Sequence, residues 1–219
     1  MLFKKLFLLI SFLISCLIAF SYPKDSSEHI TAIRKGRWIA LMGGVINSGS
    51  VIRPDTTLTN KKFNNNYAFS ISGYRIIRDR LGVGVIIDVA RSSEEELVIM
   101  ESEIFNIGPS ARYYAANQIH GGAYLQSSLM YSRFYDRVVL QDITYPIDKV
   151  LKGSGPGITF GLGYSYIFRD IVSLEIGFRF IHSWLYGESI NQIDATSLDT
   201  EFRRFSFSFS FGLGILIGK

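Results

Sequence analysis

Glu201 to Lys219 reads EFRRFSFSFSFGLGILIGK, and its alternation decides the fold. From Phe205 to Ile217 every odd position is apolar: Phe205, Phe207, Phe209, Phe211, Leu213, Ile215 and Ile217. The even positions as far as Gly214 are Ser206, Ser208, Ser210, Gly212 and Gly214. A period of two over this length is an extended strand with one greasy face and one small, polar face. Each phenylalanine left in water would forfeit roughly 1.5–3 kcal/mol, and together they rival a whole domain's net stability. The row must therefore be covered, by protein or by lipid.

The same alternation recurs upstream. Leu81, Val83, Val85, Ile87 and Val89 share one face, with Gly82, Gly84, Ile86 and Asp88 on the other. Ile158, Phe160, Leu162, Tyr164, Tyr166 and Phe168 oppose Thr159, Gly161, Gly163 and Ser165, and Val172 to Phe180 oppose Ser173, Glu175, Gly177 and Arg179. The pattern predicts strands over 36–46, 67–77, 81–90, 104–114, 119–131, 155–168, 171–184 and 201–219. Long polar loops (47–66, 91–103, 132–154, 185–200) alternate with short turns at 78–80, 115–118 and 169–170. Even-numbered strands then end at the short turns, and both termini lie on that side, as in barrels whose short turns face the periplasm. A ten-stranded variant would need Val138–Leu140 and Ile143–Ile147 to cross as a hairpin, against which Pro146 and nearby acids argue. Gly73-Tyr74 before Arg78-Asp79 and Gly163-Tyr164 before Arg169-Asp170 form a weak internal echo.

The chain begins with Lys4 and Lys5, a nearly unbroken apolar run from Leu6 to Phe20, and Ala19-Phe20-Ser21. That is the pattern of a secretory signal peptide over 1–21, with Tyr22 opening a polar leader (22–35) that contains His29. A permanent anchor is disfavoured because the run falls short of the ~20 residues of a spanning helix. Leu13-Ile14-Ser15-Cys16 resembles a lipoprotein signal with Cys16 acylated, but Leu17 to Phe20 stay greasy where such signals turn polar. Cys16 is the one cysteine, so ordinary cleavage leaves no disulfide and no thiolate metal site. Net charge is +4, from 23 Lys+Arg against 19 Asp+Glu, and cleavage removes two of those lysines. So mild a surplus argues against a nucleic-acid partner, and the length suits one domain, 36–219.

Lipid is favoured over a protein interior on three counts. The expected strands run about 10–14 residues, near the 9–11 of a tilted membrane strand and well above the usual five or six. Aromatic residues gather toward strand ends, namely Trp38, Tyr74, Tyr113, Tyr166, Phe168 and Trp184, as interfacial girdles require. The non-greasy face carries Asp88, Arg112, Tyr124, Gln126, Glu175 and Arg179. An arginine facing lipid costs about 2–4 kcal/mol at the midplane, so these groups must face a lumen. An eight-stranded barrel is just narrow enough for side chains to fill, and a packed, paired polar network without a continuous water path is expected there.

Ser210, Gly212, Ile215 and Ile217 fall in a phrase that resembles the C-terminal targeting signal of bacterial outer-membrane proteins, departing from it in the final Gly218-Lys219. Gly108-Pro109-Ser110-Ala111-Arg112-Tyr113-Tyr114 and Gly161-Leu162-Gly163-Tyr164 are likewise similar to phrases of the broad outer-membrane β-barrel family, Bacteroidetes members included. The resemblance spans 36–217 and implies an all-β fold: an eight-stranded antiparallel up-and-down transmembrane β-barrel of the OmpA/OmpX type. It also implies barrel-assembly machinery and outer-membrane lipids as partners, and a monomer.

Chemistry is thin. The lipid A deacylase barrels carry a His-any-Ser motif, but His182 and Ser183 are adjacent here and point to opposite faces. By parity His182 joins the lipid-side register of Phe180 and Trp184, whereas His120 falls on the lumen register. Glu94-Glu95-Glu96 reads as a solvated acidic loop. No phosphate loop, cofactor motif or metal-ligand spacing is present in the sequence. The expectation is a non-enzymatic outer-membrane protein acting in envelope integrity, adhesion or evasion of host defences through its outer loops. The alternatives are a narrow channel for small or apolar solutes and a lipid A-modifying enzyme.

Overall fold

The computed structural model describes residues 36–52, 61–64, 67–78, 80–95, 98–115, 121–140, 147–168 and 171–218. The expected signal peptide and leader, with Cys16 and His29, lie outside the described residues, as does His120. The described chain is all strand and turn: β1 (Trp38–Ile52), β2 (Lys61–Asn64), β3 (Tyr67–Arg78), β4 (Leu81–Glu95), β5 (Val98–Tyr114), β6 (Gly121–Leu140), β7 (Ile147–Phe168), β8 (Val172–Asn191) and β9 (Thr196–Ile217).

Neighbours in sequence pair antiparallel all the way round. β1 takes β3 along Trp38 to Gly44 and the short β2 along Ser48 to Val51, so β2 and β3 share one place in the wall. β1 also pairs β9, from Trp38 opposite Ile217 to Ile52 opposite Arg203, and this seam closes a ring of eight places. Closure leaves no open sheet edge, the condition for a sheet to stand in hydrocarbon.

The two faces divide as the alternation requires. Phe207 is 68% and Leu129 66% exposed on the outer wall, in a band with Phe160, Leu162, Phe178, Phe211, Leu213 and Ile215. Ser206, Ser208, Ser128, Ser132 and Thr159 are buried in the lumen. From Phe205 to Ile217 the outward band climbs about 30 Å at the usual rise and tilt, close to a bilayer's hydrocarbon thickness. Water cannot cover so broad an apolar band, whereas acyl chains do.

The structure corrects the loop lengths. Of the residues expected as long loops, 91–95, 98–103, 132–140, 147–154, 185–191 and 196–200 continue as strand: β6 and β8 run 20 residues and β7 and β9 run 22. Likewise β1 persists to Ile52 and β2 lies inside the expected 47–66 loop. Beyond the bilayer the outer face of a strand meets water and turns polar, as at Arg133, Arg137 and Lys152, so the period-two signal fades while the ladder of backbone hydrogen bonds goes on. Val138–Leu140 pairs with Ile147–Lys149 at the head of the β6–β7 hairpin, which removes the extra membrane crossing.

Two prolines sit inside walls rather than at edges. The β5–β6 ladder skips at Gly108-Pro109, and the β7–β8 ladder skips at Gly155-Pro156. Each proline keeps its other neighbour, Val85 for Pro109 and Tyr131 for Pro156. A proline lacks one donor only, so one ladder is interrupted while the strand stays held from its other side.

Leu129→Arg, in the middle of the outer band, is expected to destabilise the folded barrel in lipid vesicles by about 2–4 kcal/mol. Leu198→Arg, equally exposed but above the band, should change it by less than about 0.5 kcal/mol. Urea titration scored by heat-modifiable migration separates the two; equal effects would mean that lipid does not cover the band.

Candidate functional site

Asp88, Arg112, Tyr124, Gln126, Glu175 and Arg179 are all buried in the lumen, stacked in layers. Lowest is Arg112 on β5, whose Nη1 donates to both Glu175 oxygens on β8 at 2.8 and 2.7 Å. Its Nη2 donates to Gln126 Oε1 on β6 at 3.1 Å. The guanidinium lies between the rings of Tyr74 and Tyr124, 4.4 and 4.0 Å from their centroids, an arrangement that adds cation–π attraction where water is excluded. Above it Arg179 on β8 reaches across to Asp88 on β4 at 3.0 Å. Higher again, Arg204 on β9 donates to Asn106 Oδ1 on β5 at 2.9 Å. In a ring of eight, β8 faces β4 and β9 faces β5, so both upper contacts run across the diameter.

Side chains this long fit because the inner face of β7 is nearly bare. Gly161 and Gly163 stand where a Cβ would fall 2.8 Å from the Arg179 side chain and 2.5 Å from the Tyr124 ring. Smaller hydroxyls close the remaining gaps: Tyr74, Ser110 and Ser128 form one chain, and Ser132 pairs with Ser183 at 2.9 Å.

Apolar layers bound the network at both ends. Ile39, Leu41, Ile76, Tyr114, Ile167 and Leu216 cluster at the end of the short turns. Ala90, Ile104, Phe134, Leu151, Leu185 and Phe202 cluster at the opposite end, with Phe134 and Phe202 edge to face at 5.8 Å. A void of about 40 Å³ remains beside Arg112, Glu175 and Arg179, room for a water or two. A concavity of about 840 Å³ lies on the outer wall among Leu125, Phe160, Phe178 and Phe207, where acyl chains rather than a ligand would sit.

Of the expected girdle, Trp38, Tyr113 and Tyr166 point outward at the short-turn end, and Trp184 points outward near the other end. Tyr74 does not belong to it. Tyr74 shares the register of Ser70 and Ser72, is fully buried, and stacks on Arg112; its partner in the glycine-tyrosine echo, Tyr164, faces the other way. In the last strand Ser210 donates to the Gly177 carbonyl at 3.3 Å, Gly212 faces the lumen, and Ile215 and Ile217 face outward. His182 lies on the outer wall with its ring 4.2 Å from both Trp184 and Phe205, while Ser183 is buried inside. No hydrolytic pair can form between side chains on opposite faces of one strand. Glu94 and Glu95 end β4, and Glu96 is outside the described residues.

The sequence does not single out Arg204 or Asn106, and it brings in Ser183 only as the neighbour of His182. Arg204 was within reach, since the even-position serine row of the last strand extends back to it. Which group it meets across the lumen depends on barrel stagger, for which a single sequence carries no signal.

Solved structures share this architecture. OprG from Pseudomonas aeruginosa superposes with a TM-score of 0.57 at 11% identity, covering 87% of this chain and all of its own. AlkL, determined in lipid bilayers, gives 0.53 at 15% identity, covering 90% of this chain and 96% of its own. Ail, the attachment invasion locus protein of Yersinia pestis, gives 0.52 at 11%, covering 84% of this chain and all of its own. This is the fold of the small eight-stranded outer-membrane β-barrels. No protein-family model matches the sequence, and no curated protein does. At such low identity the barrel shares an architecture with these proteins and not, on that ground, a ligand.

Glu175→Gln leaves Arg112 charged and uncompensated inside the barrel, and should cost about 3–5 kcal/mol in urea unfolding. Replacing both partners, Arg112→Met with Glu175→Leu, should recover most of that loss. If the single variant is as stable as the parent, the pair is not the buried contact described.

Proposed function

We propose that this protein resides in a bacterial outer membrane and works there without catalysis, as a recognition platform presented by its outer hairpins. The observation that carries this reading is the contrast between the two halves of the barrel. The lumen of the membrane half is crossed by layer upon layer of side chains, while β6 to β9 extend as paired strands well past the lipid band.

The extension is built as a rigid surface. Outward ion pairs run along it: Arg91 with Glu103 at 3.6 Å, Arg137 with Asp148 at 2.7 Å, and Lys152 with Glu188 at 3.7 Å. Exposed pairs of this kind contribute little to stability, but they make the wall wettable where the greasy band ends. The β8–β9 hairpin closes in a turn in which Ala195 is left-handed (φ 55°) and Asp194 accepts hydrogen bonds from Thr196 N and Oγ1. Those bonds hold the Asp194 carboxyl below the usual carboxylate range. Around this turn Tyr186, Ile193 and Leu198 stand exposed above the membrane, where lipid cannot cover them. Aromatic and aliphatic groups on an ordered edge are what a protein-binding surface presents.

Attachment is the biological form that best suits this surface, and Ail, an attachment invasion locus protein of the same fold, agrees with it. A narrow channel fits less well, because two apolar layers and three side-chain layers cross the lumen.

Exchanging residues 188–199 for Asn-Gly keeps Gly187 opposite Thr200 and shortens the hairpin to a tight turn. Bacteria displaying the full chain are expected to adhere to a surface-protein or host-cell panel at least several-fold better than bacteria displaying the shortened one. Both proteins should migrate identically on heat-modifiability gels, and neither should conduct in planar bilayers. Steady single-channel conductance together with unchanged adhesion would overturn the proposal.

A further inference from the structure

Among the described residues the sealed lumen holds more cation than anion. Between the two apolar layers stand Arg112, Arg179 and Arg204, against the carboxylates of Glu175 and Asp88. The first two arginines are paired. Arg204 is 0% exposed, and its hydrogen-bond partners are neutral: Asn106 Oδ1 at 2.9 Å and Ser183 Oγ at 3.5 Å. Asp88, opposite Asn106 on β4, is the carboxylate that acts on Arg204 at longer range, but its oxygens bond Arg179. Asp136 lies beyond Phe134 and accepts from Ser102 at 2.6 Å.

Around Arg204 the unsatisfied groups are all of one kind. Its own Nε and Nη1, the Nε and Nη2 of Arg179, the amide nitrogen of Asn106 and the hydroxyls of Ser206 and Ser208 are buried without a hydrogen-bond partner. The register brings them together: Arg204, Ser206 and Ser208 are successive lumen positions on β9, and Ser208 is opposite Arg179 on β8. Every one of them can donate. Buried donors without acceptors are expensive, and a guanidinium stays charged at neutral pH. Water could take up the hydrogen bonds but would leave a whole unbalanced charge away from solvent.

We propose that the upper lumen holds one small monovalent anion, chloride in size and charge, between Arg204 and Arg179 and against Ser206 and Ser208. A halide accepts from several directions and offers no donor of its own, which suits a shell made wholly of donors. Its charge completes the pairing of three arginines with two carboxylates and one anion. Larger oxyanions are disfavoured by the layers of side chains above and below. The site is internal to the barrel and independent of the recognition surface.

The test uses the folded full chain in detergent or lipid vesicles at fixed ionic strength, with chloride exchanged against gluconate. Above half-saturation, the unfolding equilibrium constant in urea should fall about tenfold for each tenfold rise in chloride, as one site on the folded state requires. Arg204→Met should lose this dependence, and Arg133→Met, on the outer wall, should keep it. Should Arg204→Met fail to fold, Ser208→Ala serves: it removes one donor, and the chloride concentration at half effect should rise several-fold. Bromide in place of chloride should show an anomalous diffraction peak between Arg204 and Arg179. A chloride response shared by Arg204→Met, a Ser208→Ala curve superimposable on the parent, or a bromide-free site filled by water would each overturn the proposal.

Discussion

A bilayer offers the backbone no hydrogen bonds, and this single fact dictates the rest of the molecule. A sheet can stand in hydrocarbon only if its last strand returns to its first, and here β9 meets β1 along their whole shared length. Once the ring is closed, each strand has one face toward acyl chains and one toward a lumen too narrow for bulk water. The outer face must be apolar. The inner face must be small, paired or both.

The inner face meets that demand by geometry more than by composition. Arginines occupy the lumen because their reach lets them span it: Arg179 and Arg204 each cross to the opposite wall. They lie flat because β7 offers glycine where other strands offer side chains. Crowding and electrostatics are therefore solved together, since a bulkier β7 would push Tyr124 off Arg112 and Arg179 off Asp88. The apolar layers at either end then keep water from competing with these contacts, which makes the pairs strong and any unpaired group costly.

The sequence shows this architecture wherever the two faces differ. Phe205 to Ile217, Leu81 to Val89 and Ile158 to Phe168 alternate because lipid lies on one side and packed lumen on the other. The signal fails where that contrast fails. Residues 132–140 and 147–154 read as loop because the outer face turns polar there, as at Arg133, Arg137 and Lys152, while the buried inner face mixes Ser132 and Asp136 with Phe134, yet they are among the longest paired stretches. Tyr74 was misplaced for a related reason: near the rim, Arg75 faces outward while Ile76 faces inward, and the inverted pattern hides the register. Positions on the lumen face could be read from parity, as with Asp88, Arg112, Glu175 and Arg179. Their pairing into separate layers could not, because partners across the lumen are 63 to 98 residues apart and set by the stagger of the ring.

The seam between β1 and β9 carries a consequence for how the protein is made. Trp38 and Ile217 lie at opposite ends of the described chain, so the contact that defines the interior is also the most remote in sequence. Until it zips, Arg204 has no enclosed partner and the glycine wall of β7 faces an open trough. The interior therefore exists only once both ends of the described chain have met, and their pairing is what turns a curved ribbon into a vessel. Loop-closure entropy makes that step slow, and it commits the whole assembly at once.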